Sequence, residues 1–179
     1  MRCAAGLNNN VAMNRSVVER IVSGGQTGVD RAALDFAIES GIAHGGWCPK
    51  GRLASDGPLD TRYQLIETES AGYRQRTKLN VRDSDATLVI NIGALDGGTL
   101  QTVLFARQAR KPHLVIQLDE VATAEVAARI ATWLRAECIR VLNIAGPREE
   151  KQPGIYAATM GLLRVAGVER VSGRWDREI

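Results

Sequence analysis

The sequence predicts an α/β fold of three layers, a mostly parallel sheet with helices on both faces. Three observations carry that prediction. Short apolar runs alternate with stretches of helical periodicity along most of the chain, which is the pattern of successive βα units. The clearest run, Ala86-Thr87-Leu88-Val89-Ile90-Asn91-Ile92, is nearly continuous rather than alternating, as a parallel strand covered on both faces should be. Glycine-rich or polar turns follow three of the apolar runs, at residues 24–28, 97–99 and 143–148. Right-handed crossovers place all strand C-terminal ends on one edge of such a sheet, where ligands bind.

Taken in order, residues 17–22 form the first strand, and Thr27 is the expected N-cap of the helix that follows. Asp30 stands three residues on, where the acid of a capping box belongs. Val29, Ala33, Phe36, Ala37 and Ser40 share one helical face, and Gly41 ends the helix as a C′ glycine does. Residues 42–47 make a second short strand. Residues 48–63 then read as a long loop rich in turn formers, and a loop of that length in a compact domain tends to be functional. A brief strand is expected at 64–68 and a polar helix at 73–83. After the strand at 86–92, Thr99 is expected to cap a helix running to about Arg110. A strand at 113–118, a helix at 123–137, a strand at 139–144 and a last helix from Pro153 to Val165 complete the series. The expected organisation is a tail at 1–16, one domain at 17–168 and a second tail at 169–179; Met13 is an alternative start.

Composition excludes several classes. The 179 residues suit one domain with a sizeable core. The net charge of +3 is dispersed among 20 acids, and aromatics make up 4%, too few for a base-stacking surface. Nucleic acid is therefore not an expected partner. No apolar run approaches the ~20 residues of a membrane span, and the first sixteen residues lack the apolar core of a signal peptide. Cys3, Cys48 and Cys138 lie far apart, which supports neither a zinc site nor a disulfide framework, so reduced thiols in a cytoplasmic protein are expected.

The candidate chemistry is anion binding. In Gly24-Gly25-Gln26-Thr27-Gly28, glycines allow close approach to the main chain, and a helix N-terminus offers partial positive charge to an oxyanion. It is neither a G-x-G-x-x-G fingerprint nor a Walker A loop. Gly97-Gly98-Thr99 repeats the pattern, and Asn143, Gly146 and Arg148 flank the third turn. Arg31 is placed to clamp an anion, while Lys50, Arg52, Arg74 and Arg76 could fold over it as a lid. Asp30 is explained by its capping position. No Ser-His-Asp order, carboxylate pair or metal-ligand cluster stands out, so binding is encoded more clearly than catalysis.

These segments, together with Gly46-Trp47-Cys48-Pro49-Lys50-Gly51-Arg52, Asp83-Ser84-Asp85-Ala86-Thr87-Leu88 and Asn143-Ile144-Ala145-Gly146-Pro147-Arg148-Glu149, resemble the molybdenum cofactor carrier proteins, from about Val18 to Val165. That family is similar to a larger Rossmann-like superfamily containing the lysine-decarboxylase-like cytokinin-activating enzymes. The resemblance implies a cytoplasmic homo-oligomer, dimer or tetramer, that stores or protects the molybdenum cofactor, an anionic pterin bearing a phosphate, and that meets molybdenum-cofactor-dependent enzymes. The alternatives are a phosphoribohydrolase and a nucleotide-sensing module. The hydrolases carry a Pro-Gly-Gly-x-Gly-Thr-x-x-Glu pattern with a catalytic Glu; here Ala94 stands at its Pro and Thr102 at its Glu, leaving Asp96 or Glu149 as the substitutes. A hydroxyl cannot serve as a carboxylate base.

Overall fold

The computed structural model describes residues 18–119 and 123–168; both expected tails lie outside them. The chain runs β1 (Arg20–Val22), α1 (Val29–Glu39), β2 (Ala43–Gly45), β3 (Trp47–Cys48), β4 (Leu53–Ala54), β5 (Gly57–Pro58), β6 (Ile66–Glu67) and α2 (Tyr73–Arg82). It continues through β7 (Ala86–Asn91), α3 (Gly97–Gln108), β8 (His113–Gln117), α4 (Thr123–Ala136), β9 (Val141–Ala145) and α5 (Ile155–Val165).

Five strands form the central sheet in the order β2-β1-β9-β7-β8, every neighbouring pair parallel. α1 and α4 pack on α5 in one layer, and α2 packs on α3 in the other. The Rossmann-like α/β arrangement expected from the sequence is therefore present. All six residues of β7 are buried, which explains its continuous apolar run. Burying Leu88, Val89 and Ile90 is worth roughly 1.5–3 kcal/mol each relative to exposure. The main core joins these strands to Phe36 of α1, Ile130 and Leu134 of α4, and Leu162 and Leu163 of α5.

Numbering only the five sheet strands along the chain gives the spatial order 2-1-5-3-4. Moving the last βα unit to the front turns this into 3-2-1-4-5, the doubly wound order. β9 thus occupies the place of a first strand, and the order reverses between β9 and β7. A crevice at that reversal is where such sheets bind ligands.

Several local expectations are corrected. β1 begins at Arg20; before it, Glu19 N–H still donates to Arg140 O at 2.9 Å and Val18 is buried in the core, while residue 17 lies outside the described residues. The strand expected at 42–47 is divided into β2 and β3, β3 pairing with β6, and the long loop that follows contains the antiparallel β4–β5 hairpin. Neither Thr27 nor Thr99 is a cap. α1 starts after Gly28 and α3 after Asp96, with no side-chain cap bond at either. α5 starts at Ile155 rather than Pro153, after Gly154 turns the chain with φ of 88°. Cys48 is a buried free thiol, whereas Cys138, read as reduced, is disulfide-bonded.

Candidate functional site

A cavity of about 520 Å³ opens at the C-terminal edge of the sheet, between the turns after β7 and β9. Its walls come from five stretches. Asp96, Gly97, Gly98, Thr99 and Thr102 supply one, and residues 145–151 the facing one. Gln26 and Asp30 close the back with Tyr73, Arg76 and Thr77 of α2, and Ser55 reaches in from the tip of the β4–β5 hairpin.

The turn after β7 exposes its backbone to this space. An added Cβ on Gly97 or Gly98 would meet nothing within 4 Å, and Gly97 has φ of 46°. The first bond of α3 is from Leu100 N–H to Asp96 O, at 2.9 Å. The amides of Gly97, Gly98 and Thr99 precede it and have no acceptor among the described residues. A helix of 12 residues therefore presents its free N–H groups to the cavity.

The turn after β1 is built differently, since protein already fills it. Gln26 N–H reaches the Asp30 carboxylate at 3.4 Å, Thr27 N–H donates to Gln26 Oε1 at 3.0 Å, and Val29 N–H to Pro147 O at 3.3 Å. The Arg76 guanidinium lies against Gly24, and Leu59 and Leu65 press on Gly25. Gly28, with φ of 74°, backs onto Pro147 O, 2.5 Å from where a Cβ would sit. Gly146 makes the matching close approach on the third turn, against Ile90 O and Val29.

Asp30, expected as a plain helix cap, is instead half of a buried ion pair, since Thr27 N–H is taken by Gln26. Its Oδ2 accepts from Arg76 Nη1 at 2.8 Å, with the two side chains 4% and 12% exposed. Gln26 Oε1 accepts from Thr27 N and Ser55 N, which fixes its carboxamide orientation. Gln26 Nε2 and Arg76 Nε are buried without a partner among the described residues. Glu150 accepts from the hydroxyls of Thr27 (2.8 Å) and Ser55 (2.9 Å). The Thr27 bond, then its own backbone and Ser55, hold its carboxyl below the usual range. Lys151 ion-pairs with Asp96 across the crevice, while Arg148 lies over the Tyr73 ring, 4.9 Å from its centre.

Of the sequence-nominated residues, Gln26, Arg76, Gly97, Gly98, Thr99, Gly146 and Arg148 meet at this cavity. Gly24, Gly25 and Gly28 shape its back from behind the surface. The others are placed elsewhere. Thr27 and Arg31 face a shallower hollow on the far side of the β1 turn, where Arg31 is held by both carboxylate oxygens of Asp56 at 3.0 and 3.1 Å. Arg52 donates to the carbonyls of Leu59, Asp60, Tyr63 and Leu65, so it braces the long loop. Asn143 is buried inside the sheet, donating to Thr87 Oγ1 at 3.2 Å. Lys50 is exposed, and Arg74 stacks on Phe105, so the four-cation lid does not assemble around the cavity. Glu149 caps α5 with both oxygens, accepting from Gly154 N and Tyr156 N. Thr102 Oγ1 donates to Gly98 O at 2.9 Å. Sequence reasoning missed Ser55, Tyr73, Thr77 and Lys151. Lys151, three residues past Arg148 on the same turn, was the most accessible of these.

Among the described residues no helix is long and apolar enough to cross a membrane, and no cluster of side chains could hold a metal ion. The profile of the circularly permutated YpsA SLOG family matches residues 21–166. The chain is also similar to a crystal structure from Syntrophus aciditrophicus SB, described as a "Putative molybdenum carrier protein". The two share 51% identity with a TM-score of 0.84, over 86% of this chain and 97% of that one. No curated protein matches.

Proposed function

The chain belongs to the circularly permutated YpsA SLOG family, and from that premise we propose that it binds and protects the molybdenum cofactor, as a carrier rather than an enzyme. The similar Syntrophus protein, described as a "Putative molybdenum carrier protein", supports the molybdenum part of this reading. The single observation that carries it here is the set of free amides at Gly97, Gly98 and Thr99, opening into a cavity of ligand size.

The residues fit the group. A pterin monophosphate offers an oxyanion to those amides, with Arg148 and Lys151 beside them. Its ring offers polar edge atoms to the buried, unpartnered Gln26 Nε2 and Arg76 Nε. Three carboxylates, Asp30, Asp96 and Glu150, also line the cavity, and two of them neutralise Arg76 and Lys151. That balance suits a ligand carrying both anionic and donor groups better than bare phosphate. Thr102 at the place of the hydrolases' Glu supports binding without base release. Exposed Leu100 and Leu104 on α3 are candidates for a dimer or tetramer contact, which light scattering in solution would test.

The test is to purify the chain from a host that makes the cofactor, then identify the bound molecule by mass spectrometry and measure molybdenum. A pterin with about one molybdenum per site is the expected result. Neither pterin nor molybdenum, together with base release from a nucleoside monophosphate, would reverse the proposal.

A further inference from the structure

The back of the cavity holds polar atoms that have no partner among the described residues. Gln26 is 4% exposed, and its carboxamide cannot turn over. Oε1 is pinned by two backbone N–H groups, those of Thr27 and Ser55. Nε2 is therefore held as a donor, buried and unpaired. Arg76 Nε is a second buried unpaired donor, while its Nη1 is tied to Asp30. Asp30 is 3% exposed, and both of its bonds, from Gln26 N and Arg76 Nη1, fall on Oδ2. Oδ1 is left as an acceptor without a partner among the described residues. Buried donors left unpaired are costly, so these two, with the Asp30 oxygen beside them, call for a ligand that supplies the missing bonds.

We propose that Gln26, Arg76 and Asp30 read the lactam edge of a fused heterocycle, a ring carbonyl beside a ring N–H, as found in pterins and guanine. The carbonyl oxygen accepts from the two donors, and the adjacent N–H donates to Asp30 Oδ1. The inference rests on the proposed phosphate position at α3 and adds a specificity to that site. Adenine presents the inverse pattern, an amine where the carbonyl stands and a bare ring nitrogen where the N–H stands. A ring tethered by its phosphate cannot simply turn over to correct both mismatches. Discrimination of this kind comes from leaving the protein's own groups unpaired.

The experiment is calorimetric titration of the purified chain, stripped of bound ligand, with GMP, IMP and AMP, and with neopterin monophosphate as competitor. GMP and IMP are expected to bind alike, because both keep the lactam, and AMP at least about tenfold more weakly. Neopterin monophosphate is expected to displace GMP. The variant Gln26→Glu keeps an oxygen for the Ser55 and Thr27 donors but turns the free donor into an acceptor. It is expected to lower the GMP-to-AMP preference about tenfold or more. Asp30→Asn is expected to act in the same direction. Equal affinities for GMP and AMP, no binding of either lactam, or an unchanged preference in a folded Gln26→Glu would each overturn the proposal. The two readings fail separately. Cofactor that co-purifies with a chain indifferent to GMP and AMP would sink only the lactam reading. Lactam discrimination in a chain that never holds molybdenum would sink only the carrier reading.

Discussion

The turns after β1 and β7 look alike in sequence, each with paired glycines and a threonine, yet the fold uses them in opposite ways. Around Gly24, Gly25 and Gly28 the missing side chains are replaced by Arg76, Leu59, Leu65 and the third turn. The nearby amides are also engaged. Around Gly97 and Gly98 the space is open, and three amides have no acceptor among the described residues. A glycine therefore serves either the approach of another piece of protein or the approach of a ligand. The first turn is scaffold for the site, and the second is the surface presented to it.

Substitutions should separate the two roles. The largest effect is expected for Gly28→Ala. It adds a Cβ 2.5 Å from Pro147 O at a φ of 74°, and strain plus overpacking should cost about 3 kcal/mol or more in denaturant unfolding. Gly98→Leu should leave the denaturation midpoint within about 1 kcal/mol, since the position is open and helical. It should weaken binding of a pterin monophosphate about tenfold or more, read by calorimetry. If Gly98→Leu unfolded the chain, or Gly28→Ala only weakened binding, the contrast between the turns would be broken.

A pH experiment sharpens the scaffold side. Behind the first turn, Asp35 of α1 accepts from the hydroxyls of Tyr63 and Tyr156, each at 2.8 Å, and from Arg62. Burial, followed by the Asp35 bond, pushes the Tyr156 hydroxyl up to about 12 from 10.0. The folded state therefore holds this proton where the unfolded chain has released it. The associated stability is complete below pH 10 and is lost as pH rises towards 12. Tyr156→Phe should be less stable at pH 9 and should fall less steeply from pH 10 to 12 in thermal unfolding. The smallest effect is expected for Asp56→Asn. It releases a partly exposed pair with Arg31 outside the cavity and should cost about 0.2–1 kcal/mol, with ligand affinity unchanged.

Those contrasts mark the limit of what sequence showed. The continuous apolar run of β7 announced a covered strand, and α2 and the meeting of turns at one edge were legible from period and punctuation. Whether a glycine's empty side faces protein or solvent depends on residues far along the chain. Leu59 at Gly25 and Pro147 at Gly28 are such residues, and no local pattern names them. Arg52 and Arg31 looked like free cations because their partners are backbone carbonyls and an acid 25 residues away. Ser55 was hidden for the same reason. Its role at Gln26 exists only once the hairpin folds back over the first turn.

The place of β9 has a consequence for how the chain reaches this state. Among the described residues β1 pairs with β2, and β7 with β8, and the two pairs meet only through β9. Of these strands β9 is also the last to leave the ribosome. Until it arrives, β1 and β7 each carry an open edge of unpaired backbone groups, the kind of edge that other chains can join. Insertion of residues 141–145 closes both edges at once and, in the same step, brings Gly146 and Arg148 to the cavity. The sheet and the binding site should therefore form late and together. A nascent chain stopped before β9 should be vulnerable to aggregation and should have no site to offer a ligand.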